Sequence, residues 1–327
     1  MLILMMFIVL MSWGVITTMC SWSWWGAWLG MELTSFFFIP FLGKSKVGML
    51  GFNLWEYFMI QSLGSGIYVL GMLLYPQSSF MLFSLNSLLY SLPMLGVLLK
   101  LGMPPFHWWS LLLVDMLSWE EFFLFSSLLK IPPIIVMMNL CLLNVLFVVV
   151  LSFMVVFVGV QGSVEVSVRR FVVYSSMINL VWVFTGSITN FKSSLWFMFF
   201  YMVLLALFCY NMHMSMTYTI NSMYYSSLSI STYDRYIILF LLWSLMGFPP
   251  TVGFVYKLDI LLSFWLYSKF LSLLLTVLGV ILLPSYMNFM YSISLVSSTN
   301  VPSKLFSLHW LYYLLVLSVS VIFFWSL

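Results

Sequence analysis

The stretch LCLLNVLFVVVLSFMVVFVGV, residues 140–160, decides the fold class. It runs apolar and unbroken for the roughly 20 residues that one helical bilayer crossing needs. A barrel strand would alternate apolar and polar side chains over about 10 positions. Backbone polar groups in hydrocarbon must pair within the chain, so only helices and closed barrels span, and this pattern is a helix. The composition around it agrees. Of 327 residues, 64% are hydrophobic, 20% aromatic and 6% charged, against about 25% charged in a soluble domain. Eleven basic and eight acidic side chains, net +3, are too few for a polyanion footprint, so nucleic acid is excluded as a partner. Cys20, Cys141 and Cys209 are scattered through apolar runs without C-x-x-C spacing and read as buried small hydrophobes.

Working outward, apolar stretches between polar breaks give about eleven spans. They lie near 2–20, 22–42, 52–75, 80–113, 119–138, 139–161, 168–189, 193–213, 234–267, 270–291 and 307–326. The expected architecture is an all-α polytopic transmembrane helix bundle in the lipid bilayer, one domain over residues 1–327. Spans 80–113 and 234–267 are too long for one straight crossing and each contains a Pro-Pro pair, so both read as broken helices. The first twenty residues carry no charge, which reads against a basic secretory region or an Arg-rich transit peptide. Even-numbered loops hold Lys44, Lys46, Arg169, Arg170, Arg235 and Lys304, whereas odd-numbered ones hold Lys192 and Lys269. The positive-inside rule then puts the N-terminus on the side of synthesis and the C-terminus opposite. Trp22, Trp24, Trp25, Trp108 and Trp109 are candidates for interfacial anchoring or for buried packing.

Most charged residues fall in loops or at span ends. Glu56, Glu120 and Glu121 fall in expected first turns, where an acid suits the positive end of the helix dipole. Glu32, Lys100, Lys130 and Lys257 lie well inside apolar spans, each at a cost of at least about 2.5–3.5 kcal/mol on insertion scales. Prolines give them a setting. Three doublets neighbour the lysines: Lys100-Leu-Gly-Met-Pro-Pro, Lys130-Ile-Pro-Pro and Pro249-Pro250 before Lys257. A helical proline removes a hydrogen bond and clashes with the carbonyl four residues back. Pro104 therefore frees the carbonyl of Lys100, and Pro132 and Pro133 free those of Leu128 and Leu129. Pro250 stands two turns before Lys257 on the same helical face. Freed carbonyls survive at membrane depth only against protein or a water-filled cavity, so broken helix and buried amine together describe a hydrated polar path. Taken singly, a Pro pair is equally a packing kink and a buried lysine a snorkelling one. The threefold coincidence favours the path. Gly26 and Gly30 form a small-x-x-x-small face beside Glu32, which lets its carboxylate pair with a lysine from a neighbouring helix. His107 is either a relay extending the path or a hydrogen-bonded structural histidine. No metal-ligand spacing, dinucleotide fingerprint or nucleophile–His pairing is present, so no catalytic, metal or cofactor site is expected in this chain.

Six stretches carry a resemblance: WWGAWLGMELTSFFFIPFL (24–42), EYFMIQSLGSG (56–66), LLKLGMPPFHWW (98–109), LLKIPP (128–133), VRRFVVYSSMINLVWVF (168–184) and SLMGFPPTVGFVYKLD (244–259). Their order and spacing resemble the chain 2 family of mitochondrial NADH–ubiquinone oxidoreductase, antiporter-like membrane subunits of respiratory complex I. The resemblance runs from about residue 13 to 260. It implies an antiporter-like fold with both broken helices, lacking the first helices of the bacterial form. It also implies the mitochondrial inner membrane, with the N-terminus in the matrix and the C-terminus in the intermembrane space. Carried over residue by residue, Glu32, Lys100, Lys130 and Lys257 form the proton-translocation axis. Other complex I membrane-arm subunits are the implied partners, and NADH, FMN, iron–sulfur clusters and ubiquinone belong to other subunits of the complex. The chain departs from the family pattern at Ser110-Leu-Leu-Leu-Val for the usual Pro-Glu, Val164-Glu-Val for Asn-Gln-Thr, Arg170 for Lys, Asn179 for His and Tyr256 for Pro. Three functions compete: a proton-translocating complex I subunit, an Mrp-type cation/proton antiporter subunit, and a purely structural membrane subunit. The full set of Glu32 and three lysines argues against the last.

Overall fold

The computed structural model describes residues 2–42, 50–74, 83–141, 152, 155–156, 158–215, 232–249, 251–267, 269–281 and 283–294. Their regular elements are α-helices. In chain order these are α1 (Leu2–Cys20), α2 (Trp24–Leu42), α3 (Leu50–Leu74), α4 (Phe83–Leu101), α5 (Trp108–Met116), α6 (Trp119–Ser126) and α7 (Ile131–Cys141). There follow α8 (Val168–Thr189), α9 (Phe191–Ser215), α10 (Thr232–Met246), α11 (Val252–Tyr267), α12 (Lys269–Ile281) and α13 (Leu283–Ser294). Among the described residues, five stretches are long and apolar enough to cross a membrane: Trp24–Leu42, Leu54–Leu74, Trp119–Cys141, Val168–Thr189 and Phe191–Ser215. Most of the 139–161 span, all of 307–326, Pro250, Lys44, Lys46 and Lys304 lie outside the described residues.

Hydroxyl residues are tolerated in these helices because they turn back on their own backbone. Thr18 donates to the Val15 carbonyl at 2.7 Å, Thr34 to Met31 at 2.9 Å and Ser175 to Val172 at 2.8 Å, which leaves no bare donor facing lipid or core. Small residues then set which helices meet. A Cβ added at Gly30 would stand 2.7 Å from the Gly14 carbonyl, and one at Gly96 would stand 2.7 Å from the Gly64 carbonyl. Those contacts press α1 on α2 and α3 on α4 at backbone distance, the small-residue packing used where lipid offers no hydrophobic drive. It is therefore Gly14 that faces Gly30, while Gly26 packs on Ser21 of the preceding turn. Helix α8 is the centre of the bundle. Eighteen of its residues, from Val168 to Ser187, are buried, and it contacts α5, α7, α9, α11 and α12.

Both expected breaks are present, and both use one local device. At the end of α4, Met103 donates to the Leu98 carbonyl and Gly102 to Leu99; at the end of α10, Phe248 donates to Trp243 and Gly247 to Ser244. These are paired Schellman closures, which need a left-handed residue, and Gly102 and Gly247 supply it at φ +63° and +78°. A Pro-Pro pair follows each glycine and stops the helix from resuming.

Several sequence expectations are corrected here. The span near 119–138 is itself broken, so the described residues hold a third interruption beyond the two expected. Pro132 and Pro133 lack N–H groups, and the ladder before them slips: Leu129 donates to the Leu124 carbonyl five residues back, and both Lys130 and Ile131 donate to Ser127. Helix α7 continues to Cys141, so residues 139–141 complete this span and do not open the next. Glu56 lies two turns inside α3, which starts at Leu50 and has no acid in its first turn. The expected placement of Pro250 on the helical face of Lys257 falls outside the described residues; α11 is described from Val252. Cys20 is exposed, whereas Cys141 and Cys209 are buried. Trp22, Trp24, Trp25 and Trp108 are exposed on the bundle surface, and Trp109 is buried.

Two corners fix α6 and α8. Ser118 and Glu121 form a reciprocal capping box at the start of α6, satisfying two backbone donors at once. The Arg170 guanidinium grips the Asp115 carboxylate, its Nε at 2.8 and 3.0 Å from the two oxygens. Arg169 donates to the carbonyls of Asp115 and Leu117. The α5–α6 corner is thereby tied to the first turn of α8.

Candidate functional site

Of the four charges singled out within spans, Lys100 and Lys130 sit at helix ends or breaks, Lys257 bonds back to one, and Glu32 lies midway along α2. Lys100 occupies the last turn of α4, and its side chain is 2% exposed. Its Nζ donates to Glu32 Oε1 of α2 at 2.6 Å, a buried charge-assisted bond of the strong class. Glu32 keeps 32% of its side chain exposed, so the pair lies at the edge of the interior with only its cationic half fully enclosed. Gly64 makes room for this lysine: a Cβ there would stand 2.9 Å from Lys100 Cγ. Tyr57 borders the pair and donates to the Ser35 carbonyl at 3.2 Å, one turn from Glu32.

The freed carbonyl of Lys100 finds a partner that sequence reasoning missed. Gln61 Nε2 of α3 donates to it at 3.3 Å. The available signal was a lone amide inside the apolar run LWEYFMIQSLG, which a helix in lipid keeps only with a partner.

Lys130 stands at the slip between α6 and α7, 5% exposed. Its Nζ donates to Ser176 Oγ of α8 at 2.9 Å and lies 5.8 Å from the centre of the Phe125 ring. Ser176 passes its own hydrogen to the Val173 carbonyl at 2.7 Å. The Tyr201 hydroxyl of α9 adjoins Ser176 and Asn179. A buried cavity of about 10 Å³ has both Lys100 and Lys130 in its wall, with Gln61, Trp109, Thr34 and Ser35 as its other polar neighbours.

Lys257 is held separately, on α11. Its Nζ donates to the Met246 carbonyl at 2.9 Å, a carbonyl left free by the α10 break, and lies 5.8 Å from the centre of the Trp182 ring. Ser176 and Trp182 both belong to α8, six residues apart. That places them roughly 9 Å apart along the axis and turned by about 120°. Helix α8 thus separates the Lys130 site from the Lys257 site and touches both. His107 joins neither. Its Nε2 is 3.3 Å from Gln161 Oε1, its ring is 6.3 Å from that of Tyr174, and it is absent from the cavity wall.

Chemically, the arrangement offers three amines, one carboxylate and several hydroxyls able to hold and pass protons. Among the described residues there is no group of three His, Cys, Asp or Glu side chains that could hold a metal. A larger groove of about 2160 Å³ between α1, α6 and α9 is mainly apolar and includes none of the four in-span charges.

The transmembrane family described as NADH:quinone oxidoreductase/Mrp antiporter matches residues 21–283. The NADH-ubiquinone oxidoreductase chain 2 of Locusta migratoria is 27% identical over 245 residues, 75% of this chain and 71% of its own length. That of Anopheles gambiae is 27% identical over 296 residues, 88% and 84% of the two chains. A chain of respiratory complex I from Thermus thermophilus, solved with bound aureothin, superposes with a TM-score of 0.74 at 14% identity, covering 96% of this chain and 77% of that one. The antiporter-like fold expected from the six motifs is thus present, and the chain belongs to the NADH:quinone oxidoreductase/Mrp antiporter transmembrane family, as a homologue of the chain 2 proteins.

Proposed function

We propose that this chain is a proton-translocating core membrane subunit of respiratory complex I, coupling NADH-to-ubiquinone electron transfer to proton pumping. The axis is Glu32, Lys100, Lys130 and Lys257. NADH, FMN, the iron–sulfur clusters and ubiquinone are handled by other subunits, and this chain contributes proton movement to the oxidoreductase. Its partners are the other membrane-arm subunits and the lipid bilayer of the mitochondrial inner membrane, with the N-terminus in the matrix and the C-terminus in the intermembrane space. Similarity to the chain 2 proteins supports the complex I assignment over a separate Mrp-type antiporter.

One observation carries the mechanistic reading: Lys100 and Lys130 line a single cavity, and a carboxylate 2.6 Å from the Lys100 amine biases only one of them. A purely structural charge pair needs no second, unpaired amine beside it, because each buried ion without a counter-charge costs several kcal/mol, on the order of its effective desolvation penalty. The test is Lys130→Met in the assembled complex. NADH oxidation with an artificial acceptor is expected to persist while quinone-linked turnover and proton uptake fall. Normal turnover with normal pumping would remove Lys130 from the mechanism.

A further inference from the structure

Behind the Ser176 hydroxyl that receives the Lys130 amine lies a polar cluster outside the proposed axis. Asn179 stands one turn along α8, Tyr201 reaches in from α9 and Tyr286 from α13, and all three are buried. The Tyr201 hydroxyl lies beside Ser176 and Asn179, and among the described residues it closes a well-aligned hydrogen bond with neither. Ser176 has spent its hydrogen on the Val173 carbonyl at 2.7 Å and takes one N–H from Lys130 at 2.9 Å. A hydroxyl oxygen has two lone pairs, so Ser176 keeps one acceptor position. Tyr201 can give its hydrogen to that position. It can instead give it to the Asn179 amide oxygen and turn its own oxygen toward Ser176 and the amine behind it. A buried hydroxyl is rarely left without a partner, and this one has two that exclude each other.

What selects between them is the charge on Lys130. Among the described residues no carboxylate pairs with this amine. Facing it, α4 brings Lys100, α2 the Glu32 paired to that lysine, and α9 Tyr201. The other ionisable groups of α1, α6, α7, α8 and α9 stand within two turns of a helix end. An ammonium repels the hydrogen end of a hydroxyl dipole and attracts its oxygen end. We propose that Tyr201 is a positioning residue for Lys130, a hydroxyl rotor that gives its hydrogen to Asn179 while the amine is charged and to Ser176 while it is neutral. The tyrosine keeps its own proton throughout, and only its O–H turns. Hydrogen-bonding groups aligned on a charge are worth more than the same groups aligned on a neutral partner, so the rotor favours the ammonium by about tenfold in proton affinity. The inference rests on the proton-axis reading and adds to it a group that carries no proton.

Tyr201→Phe keeps the ring and removes the rotor. The measurement is coupled quinone turnover of the assembled complex in vesicles across a pH series, with artificial-acceptor activity as the control. On the alkaline side, turnover falls as the amine no longer recaptures its proton, so a weaker hold on that proton moves this limb down in pH. The expected displacement in Tyr201→Phe is about one pH unit. Asn179→Leu leaves the tyrosine but removes the amide oxygen that takes its hydrogen, and should move the limb the same way by less. Equal loss of turnover at every pH, with the limb in place, is what a packing role gives and overturns the proposal. Should Tyr201→Phe fail to assemble, Asn179→Leu decides by the same criterion. If Lys130→Met pumps normally, the axis reading fails and takes the proposal with it. If Lys130→Met uncouples while the limb stays in place in both rotor variants, the rotor alone fails.

Discussion

The Glu32–Lys100 pair permits the sharpest test of whether these charges move protons or merely hold helices together. At 2.6 Å and an effective dielectric near 20, two unit charges attract by about 6 kcal/mol. Doubling the separation forfeits about 3 kcal/mol of that. Glu32 is 32% exposed, so solvent screening lowers the difference, to about 2 kcal/mol. That is still a factor of roughly 30 in the balance between charge states, reached by a side-chain movement smaller than one helical turn. A pair acting as a switch therefore fails when either partner is lost, and also when both are. A pair acting as a structural bridge behaves differently: removing one partner costs about 3–5 kcal/mol, whereas replacing both by apolar groups is often neutral or stabilising. The informative perturbation is Glu32→Gln combined with Lys100→Met. The assay is the complex reconstituted in vesicles, with NADH–quinone turnover and a pH-gradient dye read together and artificial-acceptor activity as the assembly control. The switch predicts an assembled complex without coupled turnover. Full coupled activity in the double variant would refute the reasoning and leave the pair a packing role.

Two further outcomes are expected. Gly247→Ala places a Cβ at φ +78° and 3.0 Å from Lys257 Cδ, costing about 1–2 kcal/mol for the left-handed backbone alone; a thermal-shift comparison should rank it well below Gly66→Ala, where nothing lies within 4 Å, and the opposite ranking would contradict the closure described for α10. An N-terminal tag should resist protease added outside the inner membrane and a C-terminal tag should be cleaved from the intermembrane space; both tags on one side would mean that the eleven-span count is off by an odd number.

What could be read beforehand followed from interactions local in sequence. Leu-Gly-x-Pro-Pro and Met-Gly-x-Pro-Pro announce a helix end whatever surrounds them, because glycine permits the left-handed closure and proline forbids continuation. The in-span charges stood out for the same reason: lipid admits so few that each is conspicuous. The break at residues 127–130 was harder, since 119–138 has the length of one intact crossing. Its slip is five residues back at Leu129, and the two prolines that cause it were legible as freeing carbonyls but not as interrupting the helix. Of the partners on distant helices, the pairing of Glu32 with a lysine was legible, and the neutral ones were not. Gln61 is 39 residues from Lys100, and Ser176 is 46 from Lys130. Both lay within the stretches that carry the family resemblance, yet only packing of α3 on α4 and of α7 on α8 gives them a role.

That packing also explains why the three lysines are not equivalent. Lys100 faces a carboxylate, Lys130 a hydroxyl and Lys257 a backbone carbonyl. An amine that gives up a proton still carries N–H groups, so it can go on donating to a hydroxyl or a carbonyl. The bonds from Lys130 to Ser176 and from Lys257 to Met246 therefore survive either charge state with little change in geometry. The bond from Lys100 to Glu32 weakens most, because its strength depends on charge at both ends. Neutralising Lys100 removes an ion pair between α2 and α4, whereas neutralising Lys130 or Lys257 removes none. Under the proposed function, Lys100 is therefore the one of the three whose charge is coupled to a contact between helices through an ion pair. Its countercharge lies on α2, the one partner of the site with a carboxylate still partly open to the outside of the bundle. On the proposed reading of these charges as a proton axis, a neighbouring subunit pressing on α2 would act on it through this charge-dependent contact.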